Sequence, residues 1–211
     1  MAASRAPEFS AGRPGAAGGK VTHMRIDIVT FPGVDDLDLT GPLRVLRGAG
    51  YTVRLVGRTG RGLVTTSSGL RFETDAGFDP RPDVLVVPGG GWGARAEAGA
   101  WGEAQRGDWL PLLKRATPEL LVGICTGTML LAHAGLLTGR RANTHHSAAA
   151  ELAELGVEVV PDRVVDDGDL ITGGGVTSGI DVALWLVERI AGRELADGLA
   201  TGLEYPRYRP S

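Results

Sequence analysis

The chain of 211 residues contains a single cysteine, so no internal disulfide can form, which fits a reducing, cytoplasmic setting. Aromatic residues are scarce, at 5%. No apolar stretch reaches 18 residues, so no transmembrane helix and no membrane partner are expected. There is no basic surplus either: net charge is −3 and the lone Arg140-Arg141 pair is too short for a nucleic-acid footprint. His and Cys never recur at ligand spacing, which argues against a metal site and a metal cofactor. No repeat of fixed period is present.

What is present is a soluble globular composition, 43% hydrophobic and 22% charged, of a length suited to one domain. Residues 1–23 are Ala/Gly/Pro/Ser-rich, lack the apolar core of a secretory signal and read as a disordered extension. Met24 opens the first clean strand and is a candidate functional start; the domain is placed at 24–211.

From there strands and helices alternate. "RIDIVTF" (25–31), "YTVRLVG" (51–57), "DVLVVPGGG" (83–91) and "LLVGI" (120–124) read as strands, and 62–75 as a hairpin. Helices are predicted at 41–50, with proline in the first turn, at 97–116 with Trp101, Trp109, Leu110, Leu112 and Leu113 toward the core, at 126–137, at 147–155, and at 177–192 with a Thr/Ser cap. Short strands are predicted at 157–160, 163–165 and 170–172. The alternation implies an α/β fold: a mainly parallel, doubly wound sheet with helices on both faces. Ligands in such sheets bind at the carboxyl ends of strands. Asp38, Gly89–Gly91 and Cys125 all fall at such ends.

Cys125 lies between Gly123 and Gly127 at a strand-to-helix junction, the sequence context of a nucleophile elbow. A helix N-terminus behind it would favour the thiolate. The bland alternative is a small buried hydrophobe. The glycines at 89–91 form either a plain turn or an anion cradle, in which backbone N–H groups of Gly90 or Gly91 join that of Thr126. They also match a loose dinucleotide fingerprint, but follow the wrong strand and lack the acidic partner, so no nicotinamide cofactor is expected. Asp38, near a thiol in an apolar pocket, is a candidate general acid or base, whereas Asp35 and Asp36 fit helix capping better. Trp92, His145 and His146 are candidate pocket residues, the histidines otherwise plain surface side chains.

The blocks "FPGVDDLDLTGP", "VLVVPGGGWG", "GICTGTMLLAHAGLLTGRRANTHH" and "ITGGGVTSGIDVALWLVERIAG" resemble the DJ-1/PfpI superfamily, of class I glutamine-amidotransferase-like, flavodoxin-like fold, over nearly all of 24–192. Within it the chain is most similar to isonitrile hydratases and to the amino-terminal domains of AraC-type regulators. About 19 residues follow residue 192, too few for the regulators' DNA-binding domain, and "LEYPRYRP" resembles the closing segment of the hydratase-like members. The resemblance implies a small-molecule substrate, no cofactor, a homodimer, and a mechanism. Cys125 attacks the isonitrile carbon to give a thioimidate, Asp38 serves as general acid/base, and Thr126 with the Gly90 and Gly91 backbone steadies the intermediate. Three departures matter. His146 stands where relatives often carry tryptophan, Thr126 stands where protease- and glyoxalase-like branches place histidine, and the downstream His-x-Glu of amidotransferases is absent. Another lyase or hydrolase on the same pair, a redox sensor and a ligand-binding module remain the competing readings.

Overall fold

A computed structural model describes residues 24–210; the expected disorder of 1–23 lies outside the described residues. In chain order the elements are β1 (Arg25–Val29), α1 (Asp36–Gly48), β2 (Thr52–Gly57), β3 (Leu63–Thr65), β4 (Arg71–Glu73), β5 (Ala76–Gly77), β6 (Val84–Val87), α2 (Ala100–Arg106), α3 (Leu110–Lys114) and β7 (Leu120–Ile124). Then come α4 (Gly127–His133), β8 (Arg141–Ala142), a 3-10 turn (His146–Ala148), α5 (Ala149–Glu154), β9 (Glu158–Val159), β10 (Val164–Asp166), β11 (Leu170–Gly173), α6 (Ser178–Ala191) and α7 (Arg193–Gly202).

Seven strands form one sheet in the order β10-β11-β7-β6-β1-β2-β5. Every pairing is parallel except β10 with β11. Helices α1, α6 and α7 pack together as one layer, and α2 and α3 gather around α4 as another. This is the flavodoxin-like doubly wound architecture, and it explains the strand sequences. With both faces covered, β6 and β11 are buried at every position, as a parallel strand must be. The chain runs from β1 outward to β2, then returns to the other side of β1 as β6. That reversal opens a crevice at the carboxyl ends of β1 and β6, where Asp38 and Gly89 sit.

The predicted elements are there, with informative differences. Helix α1 begins at Asp36, five residues before the predicted start, because Asp35 caps it by accepting from the N–H groups of Leu37 (2.9 Å) and Asp38 (3.3 Å). Pro42 is therefore interior to the helix rather than in its first turn. The helical stretch at 97–116 splits into α2 and α3 at Gly107, whose φ of +74° ends α2. Trp109 and Leu113 are buried as expected; Trp101, Leu110 and Leu112 are only partly so. Helix α4 stops at His133, short of the predicted 137, and the 147–155 stretch opens as a 3-10 turn. Thr177 precedes α6 but makes no capping bond, since its hydroxyl accepts from Arg163. Helix α7 lay beyond the elements predicted. Among the described residues no helix is long and apolar enough to cross a membrane.

Candidate active site

Strand β7 ends at Ile124, and the next residue turns the chain into α4. Cys125 makes that turn with φ +53°, in the left-handed region that residues bearing a Cβ avoid. Such a conformation persists only where the surroundings fix it. Here the Cys125 N–H donates to Gly173 O on β11 (3.0 Å), and its carbonyl accepts from the Thr144 hydroxyl (2.9 Å). Glycine is obligatory around the turn. A Cβ on Gly127 would overlap Val87 O, and one on Gly89 would lie 2.5 Å from Thr126 N. Gly127→Ala is accordingly expected to destabilise the chain by about 3 kcal/mol, roughly 10 °C in Tm for a chain this long. Thermal unfolding of the variant tests this, and a shift below 2 °C would mean that the elbow has room to move.

Asp38, in the first turn of α1, is fully buried. Its Oδ2 accepts from Gly89 N–H (3.1 Å), and its Oδ1 has no hydrogen-bond partner among the described residues. Burial, and then the Asp35 charge, push the carboxyl up to about 8. Asp38 and Cys125 each influence the other's titration, so the groups are neighbours.

The thiol state differs from the expectation. Cys125 is 5% exposed, and its thiol is pushed far above the ordinary range, first by burial and then by the Asp38 charge. The Thr126 backbone N–H acts in the opposite direction but is outweighed. Helix α4, whose N-terminus lies behind the cysteine, has only seven residues. Both shifts favour the protonated forms, a thiol beside a carboxylic acid.

The glycine loop is also used differently. Gly90 N–H, an expected anion donor, is spent on Thr126 Oγ1 (3.0 Å), and Gly89 N–H on Asp38. Of the three loop amides, only Gly91 N–H makes no hydrogen bond among the described residues. Thr126 is thereby tied through its hydroxyl to the loop, while its backbone N–H serves the sulfur.

Trp92 is buried. Its indole N–H donates to Glu151 Oε2 on α5 (3.2 Å) and its ring packs on His133 of α4, so its polar edge anchors a loop rather than facing the thiol. Arg95 grips the same Glu151 with both arms. His145 and His146 stack at 4.1 Å between centroids. His145 is half-buried with its Nδ1 on Ser147 and is held below its ordinary pKa, first by burial and then by His146; His146 is exposed. Thr144 and Gly173, which hold the strained cysteine, were not singled out as site residues, because their role is a backbone contact distant in sequence. Among the described residues no His, Cys, Asp and Glu side chains gather to hold a metal ion. A cleft of about 760 Å³, lined by Phe31, Arg58, Arg61, Glu97 and Trp109 among others, does not include Cys125.

Comparison with known proteins follows from this geometry. The family described as DJ-1/PfpI matches residues 24–189. The chain is similar to isonitrile hydratase of Pseudomonas putida, 40% identical over 191 residues, which cover 89% of this chain and 81% of that protein. It is 28% identical to protein dj-1beta of Drosophila melanogaster, over 83% of this chain and 94% of that one. The crystal structure of a ThiJ/PfpI family protein from Pseudomonas syringae superposes with a TM-score of 0.79 at 28% identity, covering 94% of this chain and 85% of that one.

Proposed function

This chain belongs to the DJ-1/PfpI family, and from that premise we propose that it is a cysteine-dependent hydratase converting an isonitrile to an N-substituted formamide. The observation that carries the reading is the paired state of Cys125 and Asp38: a strained thiol beside an acid that keeps its proton to about pH 8. Addition to an isonitrile requires a proton and a sulfur at the same carbon, and this pair holds both. The likeness to isonitrile hydratase supports the same chemistry.

The Asp38 proton goes to the isonitrile carbon as the Cys125 sulfur bonds to it, and the thiol proton replaces the one Asp38 has given up. The product is a thioimidate, R–N=CH–S–Cys125. Water then adds across the C=N bond, with Asp38 passing a proton to nitrogen and taking one from the water. Collapse of R–NH–CH(OH)–S breaks the C–S bond, returns the hydroxyl proton to sulfur and releases R–NH–CHO. Protons balance at each step, and the net reaction adds one water. The Thr126 N–H steadies the sulfur as charge passes through it, and Gly91 N–H is the loop donor left for the intermediate. Cys125 is only 5% exposed, and an isonitrile presents its reactive carbon at the tip of a linear group. The reading includes a homodimer, supported by three exposed leucines on α1 and the β3–β4 hairpin, Leu37, Leu63 and Leu70.

The test is incubation of the purified chain with an aryl and an alkyl isonitrile, with formamide followed by mass spectrometry. Absence of formamide, with Cys125 still alkylated by iodoacetamide, would retire the hydratase reading and keep the nucleophile.

A further inference from the structure

After α7 the chain folds back along α6 and is fastened there at two points. At the first, Asp181 in the opening turn of α6 is fully buried, and both of its oxygens are occupied. Oδ2 accepts from Arg163 Nε (2.5 Å) and from the Tyr205 hydroxyl (2.8 Å), while Oδ1 accepts from Tyr208 N–H (3.2 Å). The second nitrogen of the Arg163 fork donates to Thr177 Oγ1 (2.7 Å) and to the Tyr205 oxygen (3.1 Å). At the second point Arg207, itself nearly buried, pairs with Glu188 of α6 and Asp197 of α7.

The first fastening lies directly behind the elbow. Gly173, whose carbonyl holds the Cys125 N–H, is so close to the first turn of α6 that a Cβ on it would lie 2.7 Å from Ser178 Oγ. A Cβ on Gly179 would touch Ile124 at 3.4 Å, the residue before the nucleophile. The Arg163 carbonyl accepts from Gly174 N–H (3.2 Å), so Arg163 frames the 174–177 loop from both ends. A buried carboxylate cannot lose a donor without moving or drawing in water. The position of the first turn of α6 therefore depends on the tail, and the left-handed turn at Cys125 depends on what rests against that helix.

We propose that the C-terminal segment 203–210 is a brace for the nucleophile, with Tyr205, Arg163 and Asp181 as positioning residues that set the orientation and cover of Cys125. They touch neither substrate nor sulfur; they act through Gly173 and the 174–177 loop. Loosening the first fastening, at Asp181, uncovers the thiol while spoiling its alignment, so alkylation speeds up as turnover slows; the second fastening, at Arg207, lies outside this path.

Iodoacetamide alkylation of the full chain, followed by intact mass well below Tm, tests this without any assumption about the natural substrate, so failure here is separate from failure of the hydratase reading. Tyr205→Phe keeps the ring and loses one donor to Asp181; Thr177→Val changes an exposed residue and removes an acceptor of the Arg163 fork. Each is expected to raise the alkylation rate constant about fivefold, the order set by one lost hydrogen bond. Arg207→Ala loosens the second fastening, lowers Tm and leaves every donor to Asp181 in place, so its alkylation rate is expected to stay at the wild-type value. Wild-type rates in both Tyr205→Phe and Thr177→Val would overturn the proposal. So would an equal acceleration in Arg207→Ala, which would reduce the tail to general stability.

Discussion

Cys125→Ala is expected to abolish formamide formation from an isonitrile, by at least about 10³-fold, as removal of a covalent nucleophile does elsewhere. The fold should survive, because removing one buried sulfur atom costs only about 1 kcal/mol. Cys125→Ser sharpens the test. It keeps the shape and a hydrogen-bonding group, but a hydroxyl is a far weaker nucleophile than sulfur unless a base activates it. The neighbour here is an acid that holds its proton to about pH 8, so serine is expected to be as inactive as alanine. Formamide production by Cys125→Ala at even a tenth of the wild-type rate would remove the covalent mechanism.

Asp38→Asn separates chemistry from stability and moves them in opposite directions. Turnover should fall by about 10²–10⁴-fold, the range for a lost general acid/base. In the wild type, kcat/KM should decline as pH rises through about 8, because the form that delivers the proton disappears there. For stability the sign follows from the raised pKa. Between pH 3.8 and about 8 the native chain keeps the Asp38 proton that the unfolded chain releases. The associated stabilisation is full below 3.8 and is lost progressively up to about 8, on the order of 6 kcal/mol at 1.36 kcal/mol per pKa unit. Asparagine has no proton to lose, and its side-chain oxygen can still accept from Gly89 N–H. Its stability relative to wild type should therefore climb across that window, as read from urea midpoints at a series of pH values. Parallel curves from pH 4 to 9 would show that Asp38 does not hold its proton in the folded chain.

The sheet was legible in the sequence because a strand buried on both faces has to be apolar throughout. "DVLVV" and "LLVGI" admit few other readings once glycines follow them. The nearness of Asp38 and Gly89 was legible for a related reason, since a parallel sheet brings its strand ends to one edge. What could not be read were side-chain commitments between distant segments. Nothing local says that Gly90 N–H is spent on Thr126, 36 residues away, or that the Trp92 indole reaches Glu151. The thiol state is not legible in the sequence, because junction position favours thiolate, whereas burial, which sequence does not give, favours thiol. Pro42 suggested a late helix start because proline favours the first turn; the Asp35 cap, available in the same sequence, prevails. The tail's hold on Asp181 joins residues 24 or more apart and leaves no periodic trace.

The left-handed turn at residue 125 sets stability against use. A side chain in that region costs on the order of 1–3 kcal/mol, and glycine alone escapes the cost. Cys125→Gly should thus melt higher than Cys125→Ala, by a few degrees, although it removes more atoms. Selection for thermal robustness alone would drift this position to glycine. A chain that keeps sulfur there continues to bear the strain, and a lineage released from the need for the thiol could shed it in one substitution.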